Sequence, residues 1–96
     1  MNRLLLSARL VDRAAMRYTP AGLPALDIGL AHESELSEDG RPRKVSMEMR
    51  AVAIGEVTQS LAAMTLGETA LFAGFVTSAR NGRGLLLHVT QVDRQA

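Results

Sequence analysis

The 96-residue chain contains no cysteine and no tryptophan, and aromatic residues make up only 3% of it. Without cysteine it has no disulfide framework and no thiolate metal site, so a cytosolic (cytoplasmic) protein is the default expectation. The first apolar run, Leu4 to Leu6, is followed at once by Ser7 and Arg9. This run is too short for a signal peptide or a membrane span, and neither is expected.

Catalytic patterns are also missing from the sequence. It has no glycine-rich phosphate loop ending in Lys-Ser or Lys-Thr, no nucleophile elbow and no evident acid–base pair of carboxylates. His32 and His88 are isolated and have no cysteine partners, which argues against a metal site. We therefore expect a protein that is not an enzyme and that has no cofactor.

Hydrophobic residues account for 47% of the chain, enough for a modest core, and we expect residues 1–96 to form one domain. The net charge is only +1, but the charges are unevenly placed. An acidic cluster, Glu33 to Asp39, directly precedes Arg41, Arg43 and Lys44. All cations except Lys44 are arginine, which favours bidentate contacts to phosphate or carboxylate.

Alternation of apolar and polar residues predicts five strands. They cover about 2–12, 24–34, 44–54, 66–77 and 85–93. Residues 56–64 place Val57, Leu61 and Met64 at helical spacing and predict one or two helical turns, or a packed loop. Five strands with one such connection between the third and the fourth predict an all-β class and a five-stranded OB-fold barrel, which we expect to be antiparallel.

The strand pattern also predicts the core. The inward side chains expected from strands one and two are Leu4, Leu6, Leu10, Leu26, Ile28 and Leu30. We expect Met47 and Met49 to fill core as well, together with one of Phe72 and Phe75. Gly74, inside a strand, indicates a bulge or a sharp bend.

The last two strands flank a basic linker that contains Asn81-Gly82, a strong hairpin signal. Arg80 and Arg83 in this linker either solubilise an exposed turn or contact phosphate. We favour phosphate contact, because the loop between strands four and five of OB-folds often touches nucleic acid.

Three other features have two interpretations each. Arg41, Arg43 and Lys44 either pair with the acidic cluster or contact phosphate, and the sequence does not separate these roles. Tyr18 either stacks on a base or covers one end of the barrel, and we favour the second. Arg50 shares a strand face with Glu48, and pairing with neighbouring side chains is its expected role.

Several motifs, in order along the whole chain, resemble the primosomal replication protein N (PriB) family, which is related to single-stranded DNA-binding protein. These motifs are Asn2-Arg3-Leu4, Thr19-Pro20-Ala21-Gly22-Leu23-Pro24, Leu30-Ala31-His32, Gly74-Phe75, Asn81-Gly82 and Leu87-His88-Val89-Thr90-Gln91-Val92. The resemblance implies single-stranded DNA as a ligand, bound without sequence specificity. It also implies two protein partners, the restart helicase (PriA-like) and a helicase-loader-type primosome protein. A homodimer formed through the first strand is expected by the same resemblance.

The resemblance further implies a DNA-binding surface. Its expected members are Arg17, Arg43, Lys44, Arg80 and Arg83, with Tyr18, Arg41 and Arg50 as possible additions. Ser46 stands where other members carry an aromatic side chain, and Glu33 where they carry a cation. We therefore expect weak, salt-sensitive DNA binding that depends mainly on phosphate contacts. The alternative is an adaptor that docks on the restart helicase and has little direct contact with DNA.

Overall fold

Strands make up most of the structure, a computed structural model that describes residues 1–94. In chain order its elements are β1 (Leu4–Arg13), β2 (Arg17–Tyr18), β3 (Pro24–Glu38), β4 (Arg41–Ile54), α1 (Thr58–Ala63), β5 (Thr69–Ser78) and β6 (Leu85–Asp93). No helix within residues 1–94 is long and apolar enough to cross a membrane. The short helix and the five long strands follow the prediction, whereas the two-residue β2 was not expected.

The five long strands close into a barrel. Their order is β1-β5-β6-β4-β3, and β3 also pairs with β1. This is the predicted OB-fold arrangement, with α1 in the connection between β4 and β5. The expectation of a purely antiparallel barrel is wrong, because β4 and β6 run parallel. The parallel pair arises because the β5–β6 hairpin returns β6 to the free side of β4, and this closes the barrel.

The core prediction for the first two long strands is confirmed. Leu10 and Ile28 are completely buried, Leu6, Leu26 and Leu30 are nearly so, and Leu4 packs against the cluster from its edge. Phe72 is the buried phenylalanine, and Leu61 and Met64 of the helical connection bury their side chains beside it. Arg13 donates from Nη1 to the carbonyl oxygens of Leu61 and Met64, so it ties the end of α1 to β1.

The methionine prediction is only half right. Met49 packs against the core, but Met47 is 40% exposed. The reason is that β3 and β4 continue as a hairpin past the barrel, where no opposing layer among residues 1–94 covers the inward-side residues.

We call residues 33–46 of this hairpin the arm. It was not predicted, because the mostly polar residues 35–43 resemble a loop, yet they pair without interruption up to Glu38 and Arg41.

The predicted bulge is present where β5 pairs with β6, and its extra residue, Thr90, lies in β6 opposite Ala73 and Gly74. The register with β6 shifts between Ala73 and Gly74. A Cβ on Gly74 would lie 1.8 Å from the carbonyl oxygen of His88, so only glycine permits this approach of the two backbones. Because of the shift, Phe75 lies directly opposite His88.

Candidate nucleic-acid interface

One row of outward side chains crosses four strands of the barrel. Asp27 pairs with Val52, Val52 with His88, and His88 with Phe75. Since side chains alternate between the two faces of a strand, the four residues project from the same outer face. Their inward neighbours in sequence, such as Ile28 and Leu87, are completely buried.

An open cleft of about 810 Å³ lies over one end of this row. We call it the basic cleft. Its lining residues are Arg17, Tyr18, Thr19, Pro20, Asp27, Val52, Ile54, Thr77, Ser78, Arg80, Leu86 and His88. They come from β2, β3, β4, β5 and β6 and from the loops next to them, so the cleft forms only when the barrel closes.

Arg17 reaches the basic cleft from β2, but it is not free there. Its Nε donates to Asp27 Oδ2 at 2.8 Å and its Nη2 to Oδ1 at 3.1 Å, a bidentate ion pair. The Arg17 guanidinium holds the pKa of the Asp27 carboxyl below its usual value, and Arg50 and Arg80 add to this effect. At neutral pH Asp27 is therefore charged and offsets part of the positive charge of the cleft.

Arg80 lines the basic cleft from the β5–β6 loop, where its side chain is exposed. Within residues 1–94 it forms no ion pair closer than 4 Å. Arg83 lies at the exposed tip of the loop, where its backbone N–H donates to Asn81 Oδ1 at 2.8 Å. Gly82, next to Asn81, has a φ of 73° and provides the turn. The Asn-Gly signal thus marked the tip correctly.

The basic residues of the arm are divided between its two faces. Lys44 projects on the same side as Arg50 and Val52, whereas Arg41 and Arg43 project on the other side. Arg43 lies 3.5 Å from Glu38, and both side chains are about 70% exposed. Lys44 and Arg43, although adjacent in the sequence, therefore lie on opposite faces, and only Lys44 shares the face of the basic cleft.

Two possible additions to the DNA-binding surface, Tyr18 and Arg50, have different surroundings. Tyr18 is 69% exposed and lines the basic cleft, so its ring does not cover the end of the barrel, the role that we favoured. Arg50 of β4 lies 3.2 Å from Asp12 of β1, across Gly29 of the intervening β3, in agreement with its expected pairing role.

Sequence reasoning missed the pairing of Phe75 with His88. Their rings stack, with centroids 4.7 Å apart and planes 10° from parallel, and Phe75 remains 40% exposed. The two residues are 13 positions apart, and the bulge at Gly74 decides that they face each other. Only the strand register reveals this aromatic surface, although the bulge itself was foreseen.

The titratable residues give no sign of other chemistry. Within residues 1–94, no group of three or more histidine, aspartate or glutamate side chains is placed to hold a metal ion. His32 is engaged instead, with Nδ1 2.6 Å from the Ser7 carbonyl oxygen and Nε2 2.8 Å from Ser34 Oγ.

Comparisons with known proteins agree with this architecture. A family described as "another single-strand binding protein family" matches residues 2–91. The chain is 46% identical to replication restart protein PriB of Bordetella pertussis, over all of this chain and 91% of that protein. A PriB structure from Ralstonia solanacearum superposes with a TM-score of 0.90 at 31% identity, covering 100% of this chain and 99% of that one. The single-stranded DNA binding protein of Thermus aquaticus, 24% identical, shares the fold with a TM-score of 0.77; the match covers this whole chain and 50% of that one.

Proposed function

Since the chain belongs to the replication restart protein PriB family, within the wider single-strand binding protein family, we propose that it is an accessory single-stranded DNA-binding protein of the replication restart primosome. It binds weakly and without sequence specificity, and it bridges DNA and the restart helicase. The observation that carries this proposal is the basic cleft, which combines Arg17, Arg80 and the exposed ring of Tyr18 on one barrel face.

The cleft supports phosphate contact in particular. Arg80 has no acidic partner within 4 Å among residues 1–94 and offers a planar set of donors. The hydroxyl groups of Thr77 and Ser78 lie on the same wall and add donors of no sequence preference. Arg83 at the loop tip and Lys44 on the same sheet face extend the contact at either side, whereas Arg43 is the least favourably placed of the expected set.

Weak binding follows from the same geometry. Asp27 already occupies the guanidinium of Arg17, so a phosphate has to displace a carboxylate there. Few cations of the cleft are then free for DNA, and counterion release from few contacts gives a low affinity that falls further as the salt concentration rises.

The test is a titration with single-stranded oligonucleotides of mixed sequence at low and at moderate salt. The double variant Arg80→Ala/Arg83→Ala should bind all sequences more weakly, and the slope of log affinity against log salt should fall by about 0.7 for each phosphate that no longer meets a cation. The fold should be unaffected, because both side chains lie on a loop.

A matched control carries the same change of charge. Arg9→Ala/Arg94→Ala removes two arginines that pair with Glu33 and Glu68 outside the basic cleft. This control should keep the affinity and slope of the wild type. If the Arg80/Arg83 variant binds as tightly as the control, with the same slope, the hairpin tip is not part of the site.

The second candidate function is an adaptor that docks on the restart helicase (PriA-like) or on a helicase-loader-type protein with little DNA contact. The observation that favours it is the core-side face of the arm and of the adjacent β4 residue Met47. Leu36, opposite Arg43, is 60% exposed there, and Met47 is 40% exposed. Absence of DNA binding by the wild type, even at low salt, would make the adaptor the better assignment. In either role we propose a non-enzymatic, cytoplasmic homodimer.

A further inference from the structure

We propose that the stacked rings of Phe75 and His88 form a base-stacking platform for single-stranded DNA, and that Arg3 holds a phosphate on its far side. This inference rests on the proposed function and extends the DNA site past the basic cleft. The ligand is a nucleobase of any kind, because every base offers a π-face for stacking.

Both rings of the platform are accessible from solvent. Phe75 is 40% exposed and His88 is half-buried, although the adjacent Leu87 and Val89 lie in the core. The ring planes are nearly parallel, 10° apart, so together they present an extended aromatic edge and surface on the outer face of the barrel. A large aromatic side chain left this accessible adds little to the core, whereas a stacked base would cover it.

The platform lies between two clefts. His88 lines the basic cleft, and Phe75 lines a second, smaller cleft of about 460 Å³. We call this second cleft the Arg3 cleft; it is lined by Met1, Asn2, Arg3, Ala73, Gly74, Phe75, Thr90 and Gln91. A DNA strand that leaves the basic cleft across the sheet therefore crosses the two rings before it reaches Arg3.

The charge of the Arg3 cleft suits a phosphate. No acidic residue lines this cleft, and Arg3 forms no ion pair within 4 Å among residues 1–94. In contrast to Arg17, its guanidinium is available to a phosphate without displacing a carboxylate. A cation on both sides of an aromatic surface complements a strand whose phosphates alternate with bases.

The backbone fixes both parts of this surface. Asn2 Oδ1 accepts from the Val76 N–H at 2.9 Å, and Asn2 Nδ2 donates to the Val76 carbonyl at 2.6 Å. This double hydrogen bond holds the backbone beside Arg3 against β5, one residue from Phe75. On the other side, the close approach at Gly74 places Phe75 opposite His88. The platform therefore exists before DNA binds.

The experiment compares two probes of equal length, an oligothymidylate and an abasic oligodeoxynucleotide with the same phosphates. Phe75→Leu keeps the apolar bulk but removes the ring. It should weaken binding of the oligothymidylate by roughly five- to hundredfold, the cost of removing one base–ring stack, and leave abasic binding unchanged. Leu85→Ala, at another exposed apolar position on the β5–β6 hairpin and outside both clefts, should change neither.

Arg3→Ala tests the phosphate contact. It should weaken binding of both probes alike and lower the salt slope by about 0.7, whereas Arg94→Ala, with the same change of charge, should do neither. Thermal melting and sedimentation of each variant show whether fold and oligomeric state are kept.

The outcomes separate this inference from the proposed function. If the wild type binds oligothymidylate no better than the abasic probe, or if Phe75→Leu weakens both probes equally, no base stacks on the platform and the inference is wrong while DNA binding stands. If the wild type binds neither probe at low salt, the proposed function itself fails. If His88→Ala, a second removal of the stack, leaves the preference for oligothymidylate intact, the platform is likewise excluded.

Discussion

At the scale of single residues, the carboxylate of Asp27 decides how much of the positive charge in the basic cleft is available. It holds Arg17 by two hydrogen bonds on the face where Arg80 is free of ion pairs among residues 1–94. The sequence predicted Arg17 as a candidate but gave no indication of Asp27, because the two residues are ten positions apart and meet only when β2 pairs with β3. Charge balance in a site depends on pairing that the order of residues does not show.

Asp27→Asn should therefore strengthen single-stranded DNA binding. The substitution keeps the shape of the side chain and releases the Arg17 guanidinium for phosphate. We expect roughly a two- to fivefold gain at low salt, in line with the modest energy of an exposed ion pair, and a salt slope steeper by about 0.7. Glu68→Gln, which releases Arg94 outside the basic cleft, is the control.

The pH dependence of binding checks the same contact. Arg17 lowers the pKa of Asp27, so the ion pair persists below the pH at which an ordinary aspartate is protonated, and it is lost as the pH falls through that lowered pKa. Release of Arg17 then contributes to stronger binding at acid pH. This contribution should be absent in Asp27→Asn. If lowering the pH strengthens DNA binding equally in the variant and in the wild type, Asp27 does not control the availability of Arg17.

At the scale of elements, the β5–β6 hairpin shows what alternation and turn signals predict well. Asn81-Gly82 marked the loop, and Gly74 marked the bulge, because each needs a backbone geometry that few other residues allow. The arm shows the opposite case. Its strands are held by backbone pairing over polar residues and have no buried face among residues 1–94, so the alternation from which strands were predicted is missing.

Gly74→Ala should destabilise the protein severely. The new Cβ would meet the backbone carbonyl of His88 at 1.8 Å, and neither strand can move without breaking the barrel pairing. We expect a loss of more than about 2 kcal/mol in the free energy of unfolding, measured by urea denaturation.

Gly29→Ala is the matched control, because Gly29 also lies inside a strand of the barrel. Its nearest neighbours are Arg50 Nη1 at 3.0 Å, which lies at the flexible end of a side chain, and Asp12 Cβ at 3.1 Å, so an added methyl group needs movements of only a few tenths of an ångström. The free energy of unfolding should stay within about 1 kcal/mol of the wild type. Similar losses for both variants would mean that the close approach at Gly74 is not the cause.

At the scale of the whole molecule, period-2 alternation was enough to predict the barrel and most of its core. In a closed sheet, alternate side chains of every strand face a single interior and must be apolar. The candidate site was harder to predict from the sequence. The basic cleft and the Phe75–His88 stack combine side chains from five strands, and their neighbours depend on one parallel pairing and one register shift. The separation of Lys44 from Arg43 has a simpler origin, since adjacent residues of a strand project to opposite faces.

The open edge of β1 leads to the last prediction, which concerns assembly. Residues 4–8 pair with β5 on one side, and pairing with β3 starts only at Arg9. Leu5 on this segment is 58% exposed. An open strand edge with an exposed leucine favours addition of the same strand from a second copy, so we expect a homodimer through β1.

Sedimentation at micromolar concentration should show this dimer, and Leu5→Glu should convert it to a monomer, because the edge would then bring two like charges together. Leu85→Glu is the matched control, since Leu85 is similarly exposed, at 61%, but lies on the β5–β6 hairpin away from β1. It should remain dimeric. A wild-type protein that sediments as a monomer throughout this range would exclude the β1 interface, and a dimer that survives Leu5→Glu but not Leu85→Glu would move the interface to the hairpin.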